Sequence, residues 1–191
     1  MTPPTRPEAR RSSSNRRLLL FLALAVLVPV VLVVGPFRGR FFPPQARAIG
    51  ALAVAPAPPL ERARCLELLG GELLAQLGPE FEAALEQHDH AGLALALERV
   101  APNQATAAVR YLHGIALLEG GHPARALAGL QDAVATASPP LDDEARYALA
   151  QVLLLLTRAD QARVELTRLS HGASRFAEPA RRQLVQLSAL E

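Results

Sequence analysis

The residues best suited to nucleophilic, redox or metal chemistry are a single cysteine, Cys65, and five histidines, two of them in the run His88-Asp89-His90. A lone cysteine can form neither an internal disulfide nor a CxxC redox pair. Cys65 lies in a leucine-rich helical pattern and reads as a packing residue. His88-Asp89-His90 resembles a ligand set, but residues two apart point to different sides of a helix, and a metal needs converging donors. The run therefore reads as a solvated turn at a helix end. His113 reads as a partly buried residue, and His122 and His171 fall in turns. No nucleophile–base constellation and no Gly-rich phosphate loop is present. The pattern implies no enzyme, no cofactor, no metal and no small-molecule substrate.

What positions these residues is more informative. Half of the 191 residues are apolar, yet aromatics make up 4% and Trp is absent, so the core must be built from Leu, Ala and Val. Ala and Leu favour helix. All 20 basic residues are Arg and none is Lys. Their distribution is uneven: residues 1–50 hold eight Arg and one acid, whereas residues 51–191 hold twelve Arg and seventeen acids. The basic pI near 9.3 thus belongs to the N-terminus, and a basic nucleic-acid-binding domain is disfavoured.

From Leu60 onward helical patterning hardly stops. Helices are predicted near 60–77, 79–88, 93–100, 104–119, 123–137, 142–157, 159–170 and 178–190, separated by Gly and Pro signals. In the last, Ala180, Leu184 and Leu187 point inward, and Arg181, Arg182, Gln183 and Gln186 face water. Two stretches repeat at a spacing of 36 residues: Tyr111, Gly114, Leu117, Ala126 and Leu130 recur as Tyr147, Ala150, Leu153, Ala162 and Leu166. Self-similarity at such a period marks stacked helical hairpins.

Residues 107–138 resemble a tetratricopeptide repeat. Gly114, Gly121, Ala126, Leu130 and Ala133 fill that family's small and bulky positions, and Pro139 stands near its terminal Pro. Residues 143–174 resemble it more weakly. Both copies lack the large aromatics: Arg110 and Ala145 or Arg146 lie near the Trp position, and Leu117 and Leu153 replace Tyr. The resemblance implies an all-α array of helical hairpins. It also implies a protein-binding concave groove lined by Ala108, Tyr111, Ile115, Leu118 and Glu119, then Glu144, Tyr147, Gln151, Leu154 and Leu155. Several of these could equally pack against the adjacent hairpin. Lys and Asn, which carboxylate-clamping members of the family use there, are missing from the groove, so binding of chaperone tails is not implied.

Ahead of the repeats, Leu18 to Val34 is seventeen residues without a charge. At helical rise it spans roughly 26 Å, and Gly35-Pro36-Phe37 brings it near the thickness of a bilayer's hydrocarbon. A cleaved signal peptide would place a small-x-small site closer behind the run. The nearest, Ala46-Arg47-Ala48, follows after Arg38 and Arg40, which favours a retained anchor. Five Arg precede the run and three follow, so the N-terminus is expected inside. The expected organisation is a disordered cytoplasmic tail (1–17), a transmembrane signal anchor (18–37), a Pro/Ala-rich linker (38–59) and a tetratricopeptide-like domain (60–191).

The layout is that of a single-pass protein of a bacterial inner membrane, its lipid contact running through Leu18 to Val34. The repeat domain faces the periplasm or outside and docks other envelope proteins in assembly or secretion. A soluble exported form released by signal cleavage and a cytoplasm-facing adaptor are the alternatives.

Overall fold

Ala- and Leu-rich runs punctuated by Gly and Pro fold into eight α-helices, with no strand among the described residues. They are α1 (Pro44–Ala51), α2 (Arg62–Glu86), α3 (His90–Glu98), α4 (Ala107–Glu119), α5 (Pro123–Thr136), α6 (Leu141–Leu155), α7 (Ala159–Ser170) and α8 (Ala177–Ser188). The structure, a computed structural model, describes residues 44–53, 60–100 and 102–190. The expected tail 1–17 and anchor 18–37 lie outside these residues. Among the described helices none is long and apolar enough to cross a membrane.

The predicted helices from 104 onward fall within three residues of those observed. Two differences lie nearer the N-terminus. Residues 62–86 form one run, α2, bent at Gly70 (φ 74°, ψ 162°) and at Gly78 (φ 74°, ψ −175°). Both glycines hold the positive φ that a side chain disfavours, so each can reverse the chain where another residue could not. Pro79 follows the second bend and opens a new helical piece, as its fixed φ and missing N–H allow. The second difference is a helix over residues 44–51, inside the expected Pro/Ala-rich linker. The same logic applies: Pro44 stands in the first turn, where its absent N–H costs no hydrogen bond.

Consecutive helices pack on each other in order from α2 to α8, and α4 also touches α6. Three of the connections share one turn. The N–H of Asp89 bonds to the carbonyl of Ala84, His122 to Leu117 and Arg158 to Leu153, each at 2.8 Å. The preceding residues, His88, Gly121 and Thr157, all have positive φ. This is the Schellman end of a helix, which satisfies two carbonyls that would otherwise lack partners. Each turn hands straight into the next helix, so α2/α3, α4/α5 and α6/α7 are three tight hairpins.

Inside each of the last two hairpins a small residue lets the helices approach. Ala126 and Ala162 are fully buried, as are Leu130 and Leu166 one turn later. A side chain on Gly114 would press against Leu130, within 2.6 Å of its Cγ. Crossings this close need small residues at the contact.

Candidate protein-binding face

The ten groove residues expected from the repeat register lie on α4 and α6. Most do not face solvent. Ala108, Tyr111, Ile115, Glu144, Tyr147, Gln151 and Leu154 are buried. Leu118 is half-buried, and Glu119 and Leu155 are exposed. An open groove is thus replaced by a closed face with a short exposed rim.

The cover comes from the chain itself. Arg64, on the first part of α2, donates from Nη2 to Glu144 Oε1 at 2.6 Å, across 80 residues of sequence. Cys65 beside it is 1% exposed. Further back, the carbonyl of Leu52 accepts a hydrogen bond from Gln183 Nε2 at 2.9 Å, across 131 residues. Ile49, Leu52, Ala53, Leu60, Leu68 and Leu69 are partly buried against the core. Residues 44–53 and 60–69 therefore lie over the side of the array built from α4, α6 and α8.

Glu144 is the electrostatic centre of that face. Its side chain is 6% exposed, and its Oε1 also accepts from Arg175 Nη2, in the α7–α8 connection, at 2.9 Å. Arg175 lies over the Phe176 ring, 4.9 Å from its centroid, and Phe176 stacks on Tyr147 with centroids 4.8 Å apart. Two guanidiniums therefore share one carboxylate oxygen. Glu144 Oε2 and Arg64 Nε are both buried and have no hydrogen-bond partner among the described residues. The bond to Glu144 holds the Arg64 guanidinium well above its ordinary pKa, and burial only partly offsets this. Burial, then the negative charge of Glu144, pushes the Tyr111 phenol above the usual tyrosine range. Burial also raises Tyr147.

The second polar feature is an amide pair. Gln151 and Gln183 exchange hydrogen bonds at 3.0 and 3.1 Å, and Gln183 adds the bond to Leu52. The expectation that Gln183 faces water is therefore corrected. An amide can be buried here because Gln151 and the Leu52 carbonyl satisfy it. Neither Arg64, Arg175 nor Gln183 is marked by the repeat register. Their partners lie 31 to 131 residues away in sequence.

The other candidates take structural places. Asp89 caps α3, its Oδ1 accepting from the Gly92 N–H at 3.0 Å, with His88 in the left-handed turn before it. His113 is half-buried, with Nε2 3.3 Å from Glu98 Oε1, and Arg125 holds the same oxygen at 2.7 Å. Burial pushes the Cys65 thiol up to about 11, which keeps it neutral and unreactive. Compared with protein-family models, curated proteins and solved structures, the chain matches none of them.

Proposed function

We propose that the chain is a membrane-anchored scaffold whose tetratricopeptide-like hairpins dock another protein of the bacterial envelope. The observation that carries this reading is the succession of three hairpins closed by the same helix-ending turn. Units of that kind bury a continuous core by stacking and leave one side as an extended binding surface. The apolar run Leu18 to Val34 supports the anchor, and the Arg excess before it supports an outward-facing domain. The partner is a protein, reached through the side of α4 and α6. Assembly or secretion is the role that this layout suits.

Two measurements test the reading. Full-length protein should stay with membranes after alkaline carbonate washing, and a reporter active only outside the cytoplasm should work when fused after Glu191. A shortened soluble product starting near Ile49 would contradict the anchor. A photo-crosslinker at the rim, at Leu118 or Leu155, should capture one and the same protein in whole cells. The exposed positions Ala124 and Gln161, on the second helices of the hairpins, should not capture it. Equal capture at all four positions would contradict a docking face.

A further inference from the structure

The closed face has the features of an occupied binding site. Its occupant, residues 44–53 and 60–69, is held at two polar points that differ in what they read. At one, the Gln151–Gln183 pair takes a backbone carbonyl, that of Leu52, and any peptide offers such a group. At the other, Glu144 takes the Arg64 guanidinium, which only a basic side chain offers. Between these points the occupant's apolar contacts are incomplete, because Ile49, Leu52, Ala53, Leu68 and Leu69 are only partly buried. It joins the hairpins through Gly70, whose positive φ breaks the helix and whose surroundings are open enough to admit a side chain. A hinge is therefore already built where the occupant would leave.

The ionic point is under-bonded. Arg64 and Arg175 crowd onto Oε1, while Oε2 and Arg64 Nε stay buried without partners among the described residues. Buried ion pairs of this kind are poor sources of stability unless their remaining hydrogen bonds are satisfied. An arginine free to approach along the carboxylate plane can fork onto both oxygens, which is the strongest geometry open to this pair. The other groups facing Glu144 are the Tyr111 phenol below and Arg175 at the side. A partner carboxylate placed there would meet a second, buried carboxylate.

We propose that residues 44–53 and 60–69 form an exchangeable cover, and that Glu144 with the Gln151–Gln183 pair forms a docking site for a partner segment bearing an arginine among apolar residues. This rests on the scaffold reading for its biological sense and on the geometry of the face for its chemistry. The resting chain closes the face with its own Arg64. A partner with a better-placed arginine displaces it and releases the cover at Gly70.

Cys65, the only cysteine of the chain, reports the exchange because it lies next to Arg64 on the cover itself and is buried while the cover is closed. The experiment follows its alkylation in the native full-length protein. The probe is a synthetic peptide of residues 60–71 carrying Cys65→Ser. At saturation it should speed Cys65 alkylation at least tenfold, and the same peptide carrying Arg64→Glu should not. In protein with Glu144→Gln the two peptides should act alike. Should that variant fail to fold, the comparison of the two peptides on wild-type protein stands alone. Alkylation that proceeds only at the global unfolding rate, with or without peptide, would overturn the proposal, as would equal acceleration by both peptides. Acceleration by raised protein concentration without peptide would make a second copy the occupant and overturn the assignment to a different partner. A peptide response without any rim crosslink in cells would leave the exchange standing and remove the scaffold reading. A rim crosslink without a peptide response would do the reverse.

Discussion

Ala126 and Ala162 are small because two helix backbones meet at them, and this was readable from the repeat alone. Both are fully buried, whereas Ala124, two residues earlier, is exposed. Ala126→Leu should overpack the α4–α5 crossing and lower stability by about 1–3 kcal/mol. Ala124→Leu should change it by less than about 0.5 kcal/mol. Urea melts of the two variants make the comparison, and equal small effects would mean that the register is wrong. The Cys65 thiol gives a second prediction. It stays neutral to about pH 11 in the fold, while in the unfolded chain it ionises near ~8.5. The raised value means the stabilisation is complete below the lower pKa and is lost as pH rises through the upper one. The urea midpoint should therefore fall between about pH 8.5 and 11, by the equivalent of roughly 3 to 3.5 kcal/mol. Cys65→Ala should remove that part of the slope and leave a later loss from Tyr111. An unchanged slope would mean that Cys65 is not buried in solution.

Among the elements, the 36-residue repeat marks two hairpins, and a third has the same turn without the full repeat pattern. The α2/α3 hairpin closes with the Asp89 to Ala84 bond, 33 residues before its counterpart. At that offset the small Gly114 and Ala126 correspond to Phe81 and Leu93, both buried. Large residues fill the crossing that small ones fill elsewhere, so the backbone repeats where the side chains do not. The position closing each turn tells the same story. Gly121 suits its φ of 77°, whereas Thr157 holds a φ of 59° that a β-branched residue disfavours. Left-handed backbone costs an ordinary residue roughly 1–2 kcal/mol, and glycine returns part of that through its looser unfolded chain. Thr157→Gly should thus raise stability by about 0.5–1 kcal/mol, and Gly121→Ala should lower it by about 1 kcal/mol. Thermal melts read both. A destabilised Thr157→Gly would mean that the threonine makes a compensating contact.

For the whole molecule, what local pattern could not show is the cover. Periodicity places residues on a helix face, and Tyr111, Ile115, Glu144 and Gln151 are all buried. It does not say what lies across that face, because Arg64 and Leu52 reach it over 80 and 131 residues. Pro43-Pro44 and the proline-rich stretch after Ala53 read as a linker. The helix between them was obscured because each proline suits a helix start as well as an extended chain. Glu144, an acid in the middle of an apolar face, was the one clue that a buried cation must meet it.

Native-state hydrogen exchange on the full-length protein tests most directly the claim that a stacked hairpin array is closed by its own detachable segment. Opening of one unit without global unfolding exposes its amides at a lower free energy than the core. Amides of 44–53 and 62–69 should be protected, yet exchange on the order of 100-fold faster than those of α4 and α6. Glu144→Gln should speed the first set and leave the second unchanged. Equal protection of both sets, exchanging together through global unfolding, would contradict the account, as would a segment with no protection at all.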